Sequence, residues 1–204
     1  MKNFVVVFLF VFQVAAGQQV GEVEAILEFQ AELNAKFASE ETSPLTKKDL
    51  KEFKTLEFFK INTAYSIKAK FVRTPYETPF IMKTTTSREP IYVKYGEAHF
   101  KLKGKAMVLN IYQNQELSTQ PEYENYLFLP FTDLSNGETT YAGGRFIDLR
   151  IPEGEHILID FNRAYNPYCA YNERYSCPIP PADNHIKLQI NAGVRAFSKH
   201  KENN

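Results

Sequence analysis

Five charged residues in the C-terminal half of this chain, Asp133, Arg145, Asp148, Asp160 and Arg163, carry the groups that proton and anion chemistry need. A carboxylate with a perturbed titration can act as a general base, and an arginine fork can clamp a substrate anion. Read that way, Asp160 or Asp133 is the base and Arg145 and Arg163 hold the substrate of a small-molecule hydrolase. The same residues also read as scaffold. Asp160 and Arg163 are spaced to pair and anchor a loop, while strand alternation sends Arg145 and Asp148 to opposite faces. The sequence holds no Gly-x-Ser-x-Gly elbow, phosphate-binding loop or His-Glu-x-x-His.

Cys169 and Cys177 are the only cysteines, with seven residues between them. In an exported chain this spacing favours a disulfide, which closes a short loop and contributes on the order of 2–3 kcal/mol. Two buried thiols or a metal pair are the alternatives. Zinc pairs normally stand two to four residues apart, and only His185 lies nearby, so no metal and no cofactor is expected.

Both cysteines fall in residues 160–184, DFNRAYNPYCAYNERYSCPIPPADN, which have neither helical nor strand periodicity. Long structureless loops in compact domains are usually functional or disordered, and aromatics with a cysteine pair argue for order. Asn162, Asn166, Asn172 and Asn184 can bond peptide groups at turns, or orient the hydroxyls of a ligand. Tyr165, Tyr168, Tyr171 and Tyr175 add rings that stack and hydroxyls that bond. A cleft lined by such groups suits a sugar or another small polar ligand. The candidate ligand-binding residues are therefore Arg145, Asp160, Asn162, Arg163, Asn166 and Tyr168. A flat aromatic patch would instead mark a structural or interaction protein that docks a partner through the Tyr-rich loop.

This 25-residue stretch resembles the hallmark of a bacterial family known as domain of unknown function 1684. LFLPFTDLSNGETTYAGGRFIDLRIPEGE, residues 127–155, resembles the same family, and residues 22–38 and 58–70 fit it more loosely. One departure is visible: where the family ends its last strand on Ala-Gly-Glu, this chain has Ala192-Gly193-Val194. The family carries no established activity, so the resemblance implies kinship rather than a reaction.

The elements that must position these residues follow from periodicity. Ile26, Phe29, Leu33 and Phe37 recur at helical spacing within residues 22–38, and Thr46 can cap a second short helix, giving a helical segment over 22–56. From residue 58 the period becomes two. Tyr65, Ile67, Ala69 and Phe71 alternate with polar residues, and Lys103-Gly104 joins two apolar runs as a hairpin. Residues 126–129 form a continuous apolar run suited to a central strand. Residues 146–151 and 157–161 are expected to pair across Pro152-Glu153-Gly154, carrying the loop back to Gly143-Gly144-Arg145. Ile186, Leu188 and Ile190 are expected to end the sheet. The expected fold is mainly β: an antiparallel β-sandwich or partly open barrel with one or two N-terminal helices.

Residues 1–17 read as a secretory signal peptide: Lys2, an apolar run, then Ala15-Ala16-Gly17. Residues 18–204 then form a single domain that is exported, periplasmic or secreted, with no membrane span, since a span needs about 20 apolar residues. Charge is balanced, 24 basic against 24 acidic residues, leaving no electrostatic footprint for nucleic acid. Lys47, Lys48, Lys51 and Lys54, and the tail Lys199, His200 and Lys201, read as solvated faces.

Overall fold

The computed structural model describes residues 4–197, with side chains from Val20 onward. The expected signal peptide lies outside the residues whose side chains are described, and the Lys199–Lys201 tail outside the described residues altogether. Among the described residues, no helix is long and apolar enough to cross a membrane.

Helix α1 spans Phe4–Ala38 and presents the expected stripe: Ile26 and Phe37 are buried, and Leu33 is partly so. Phe37 packs edge-on against the Tyr171 ring at 4.7 Å, so the helix is fastened to the 160–184 segment. Helix α2, Lys47–Glu52, starts where the cap residue predicts. The Asp49 N–H donates to Thr46 Oγ1 at 3.1 Å, and the Thr46 hydroxyl donates to Asp49 Oδ2 at 2.7 Å.

The strands are β1 (Ser66–Arg73), β2 (Phe80–Ile81), β3 (Ile91–Leu102), β4 (Lys105–Asn114), β5 (Tyr126–Asp133), β6 (Arg145–Arg150), β7 (His156–Asp160) and β8 (His185–Ile186). They form one curled half-barrel sheet in the order β6-β5-β4-β3-β1-β7, with β2 beside β3 and β8 parallel to β5. The β3–β4 hairpin turns at Lys103 and Gly104, whose φ values of 50° and 77° are those of a tight two-residue turn.

Two expectations about pairing are corrected. β6 and β7 do not form a hairpin: β6 pairs with β5, from Tyr126↔Arg150 to Phe131↔Arg145, and β7 pairs with β1. They end the sheet on opposite sides. Because only residues 151–155 connect them, the sheet must curl until its two edges approach. A single bridge, Phe146↔Tyr165, spans the seam, and it still delivers the start of the 160–184 segment beside Arg145. The last strand is also shorter than expected. Only His185 and Ile186 pair, while Ile190 is buried off the sheet.

Curling separates two apolar layers. Ala69, Ala98, Leu109, Ile111, Leu127, Leu129, Phe131, Ile147 and Ile159 fill the concave core. Met82, Tyr92, Tyr112, Phe128 and Phe146 form a second cluster, which Tyr126 and Tyr165 cover. β5 therefore carries apolar residues to both faces, as its unbroken run requires.

Candidate functional site

Alternation along β6 sorts the charged candidates. Arg145, Ile147 and Leu149 face the concave core, while Phe146, Asp148 and Arg150 face the other way. The Arg145 side chain is 0% exposed, donating to Asp133 Oδ2 (2.9 Å) and to the carbonyls of Ile190 (2.8 Å) and Ala192 (2.5 Å). Asp133 in turn accepts from the Ser135 and Ile190 amides. Arg145 is thus a structural pin rather than an anion clamp, and both oxygens of its buried carboxylate partner are engaged within the core.

The asparagine candidates behave as inserted peptide groups. Asn162 Oδ1 accepts from the Asn62 N–H, and its Nδ2 donates to the Asn62 carbonyl, both at 3.0 Å. Asp160 Oδ1 caps Asn162 through its backbone and side-chain N–H groups; burial pushes that carboxyl up, and the Asn162 bonds pull it back. Asn166, 1% exposed, donates to the Arg195 carbonyl (2.8 Å) and toward the Tyr171 hydroxyl (3.3 Å). Asn184 bridges β4 and β5. These strands pair through Tyr112↔Phe128, and the next position on β5 that faces Asn110 is Pro130, which has no N–H to give. Asn184 Oδ1 accepts from the Asn110 N–H (2.8 Å), and its Nδ2 donates to the carbonyls of Asn110 (2.8 Å) and Pro130 (2.7 Å).

The cleft lies on the other face. A cavity of about 450 Å³, within the usual range for small-ligand pockets, opens between β5–β6, the 160–184 segment and α1. Its floor is Tyr126 and Phe128 from β5 with Phe146 and Asp148 from β6; Phe128 and Asp148 are register partners. Tyr165, Tyr168 and Tyr175 supply one wall, and Phe29, Leu33 and Lys36 of α1 the other. Arg88 stands on the rim, its guanidinium held by the Ser176 hydroxyl and carbonyl, each at 3.2 Å.

Asp148 is the polar centre of this cleft. It is exposed, and its Oδ1 accepts from the Tyr126 hydroxyl at 2.7 Å and the Tyr165 hydroxyl at 2.5 Å. Burial pushes both phenols well above their ordinary range, and the Asp148 charge pushes them further, so they stay protonated donors. Among the described residues, the side-chain hydrogen bonds to this carboxylate fall on Oδ1, and Asp148 lines both this cavity and the groove beside it. Of the six residues expected to bind a ligand, Tyr168 lines this cleft. Arg163 lines an adjoining groove of about 570 Å³ that shares Tyr126 and Asp148, with its guanidinium 5.0 Å from the Phe29 ring. A larger trough, about 1090 Å³, separates Val20–Glu24 from residues 59–65 and is lined by none of them.

The expected disulfide is not formed. Cys169 and Cys177 are free thiols lying side by side, with the Cys169 N–H donating to Cys177 Sγ at 3.2 Å. Among the described residues, no group of three or more His, Cys, Asp or Glu is placed to hold a metal ion.

The family model for the protein of unknown function DUF1684 matches residues 51–195, most of the chain. The chain belongs to the DUF1684 family. Its matched span contains the β5–β6 floor, the tyrosine wall and both cysteines, whereas the α1 wall lies outside it. The DUF1684 chain is also similar to the solution NMR structure of an uncharacterized protein from Haloarcula marismortui, at 28% identity and a TM-score of 0.68, over 87% of this chain and 96% of that one. Among curated proteins, none matches.

The sequence held one unused sign of this cleft. Alternation already put Asp148 on the face of Phe146, opposite Arg145, and a carboxylate placed among aromatic residues marks a polar centre. Arg88 and the α1 residues gave no such sign, because nothing local ties them to β6.

Proposed function

We propose that this DUF1684 protein binds a small polar ligand, a saccharide by its chemistry, in the aromatic cleft around Asp148. The observation that carries the reading is a carboxylate lining the cavity, fixed by two phenols among rings packed edge to face. Aromatic faces pack on the C–H faces of a sugar ring, while the Asp148 carboxylate accepts from its hydroxyls and Lys36 and Arg88 donate from the rim. Binding is the reading carried forward: Tyr126 and Tyr165 stay protonated and act as hydrogen-bond donors that fix Asp148. It is favoured over partner docking, because Tyr165, Tyr168 and Tyr175 line a concavity rather than a flat patch.

The test is a saccharide array followed by calorimetric titration. Asp148→Asn and Tyr168→Ala should each weaken binding about tenfold or more, equivalent to at least about 1.4 kcal/mol, without shifting the melting temperature by more than a few degrees. Asn166→Ala should do the reverse, melting clearly earlier because Asn166 is itself buried and its loss strips the buried Tyr171 hydroxyl and the Arg195 carbonyl of a donor. Undiminished binding by Asp148→Asn, or no saccharide bound by the parent, sinks the proposal; capture of organic ammonium compounds instead would reassign the cleft to cations.

The proposed setting is outside the cytoplasm, on the strength of the leader-like residues 1–17. Mass spectrometry of the protein expressed with its own N-terminus should find it beginning at or near Gln18. Retention of residues 1–17 in an export-competent host would refute this.

A further inference from the structure

The cysteines make a pair with unequal partners. Cys177 is 6% exposed and pinned by Thr85 on both sides: its N–H donates to Thr85 Oγ1 at 3.1 Å, and its carbonyl accepts from the Thr85 N–H at 2.9 Å. Cys169 lies in the short turn Tyr168–Ala170, is partly exposed, and aims its own N–H at Cys177 Sγ. One sulfur is therefore fixed and enclosed, and the other is reachable from solvent while touching it.

A third group completes the arrangement. The Tyr141 hydroxyl lies 3.8 Å from Cys169 Sγ. Its ring passes so close to Gly143 that a Cβ there would stand 2.5 Å from Tyr141 Cε1, so the glycine makes room for the ring that reaches the thiol. The Cys177 thiol, followed by the Tyr141 and Thr85 hydroxyls, draws the Cys169 thiol down to about 6, while the same contact and burial push Cys177 up. The contact therefore favours the outer sulfur as the nucleophile and leaves the inner one the harder to deprotonate.

We propose that Cys169 and Cys177 form a thiol–disulfide exchange site for low-molecular-weight disulfides, Cys169 attacking and Cys177 resolving. In the first step Cys169 Sγ attacks one sulfur of the disulfide RSSR. The S–S bond breaks, RS⁻ leaves, and Cys169 carries a mixed disulfide. In the second step the Cys177 thiol loses its proton and attacks Cys169 Sγ, expelling the second RS⁻. The protein loses two electrons and two protons, and RSSR becomes two RSH, so the exchange balances without another reagent. Cys177 also lines the aromatic cleft, which makes the exchange a covalent modification of its wall.

The test uses the reduced full chain and oxidised glutathione. The parent should lose both free thiols and end with an internal disulfide, two hydrogens lighter and without retained glutathione. Cys177→Ser should stop at a stable glutathione adduct on Cys169, and Cys169→Ser should remain unmodified under the same exposure. Tyr141→Phe, with an unchanged melting temperature, should slow iodoacetamide labelling of Cys169 several-fold. A parent that keeps both thiols, or that keeps a glutathione adduct, overturns the proposal, as does equal reaction of Cys169→Ser. If a serine variant fails to fold, the order of labelling in the parent decides: Cys177 alkylated before Cys169 overturns the proposal. These outcomes do not depend on the saccharide reading.

Discussion

Arg145→Met should unfold at a far lower urea concentration than the parent, with a loss of about 3–5 kcal/mol. Methionine fills the space but leaves the Asp133 carboxylate buried without its cation and strips the carbonyls of Ile190 and Ala192 of their donors. Burial pushes the guanidinium down and Asp133 pulls it back, so the pair stands only while both members are present. Arg145→Lys should recover less than half of the loss, because a single ammonium cannot span a carboxylate and carbonyls set in a fork. Urea unfolding followed by tyrosine fluorescence is suited to a chain with no tryptophan. A loss below about 1 kcal/mol would show that the pin is dispensable.

Asn184→Ala should cost about 2–4 kcal/mol, and Asn184→Asp more. The alanine leaves the Asn110 N–H and two carbonyls unpaired at the β4–β5 junction, where each unmet buried group costs about 1–3 kcal/mol. The aspartate keeps the acceptor for Asn110 but turns a carboxylate oxygen toward the carbonyls of Asn110 and Pro130, which repel it. Hydrogen exchange read by NMR adds a local check: the Asn110 amide should lose most of its protection in the alanine variant. Asn184→Asp more stable than Asn184→Ala would contradict the bridging role.

What the sequence revealed was local. The stripe of Ile26 and Phe37, the cap at Thr46, the turn at Lys103-Gly104 and the two-sided burial of β5 each depend on residues a few positions apart, and the structure has all of them. The choice of strand neighbours is a different kind of quantity. Alternation placed Arg145 and Asp148 on opposite faces correctly, yet it could not say that β7 would pair with β1 rather than β6, because many partners offer equivalent apolar faces. The asparagines show the same division. Their capacity to bond peptides was readable, but Asn162 spends it on Asn62, 100 residues away, and Asn184 on a gap created by Pro130. The cleft was missed for the same reason: Asp148, Arg88 and α1 meet only after the sheet has curled.

The Arg145 pin also dictates an order of assembly. The guanidinium enters the core with β6, but its carbonyl acceptors, Ile190 and Ala192, come 45 and 47 residues later. During synthesis the strands of the half-barrel emerge while the cation among them still lacks those acceptors. Contacts so far apart in sequence are slow to close, and a domain generally commits to its native state as a unit. The half-barrel therefore cannot settle into its final packing on the ribosome until residues 190–192 have left it, so a nascent chain arrested short of Ile190 would hold its apolar strands around a cation that has Asp133 but lacks its carbonyl acceptors.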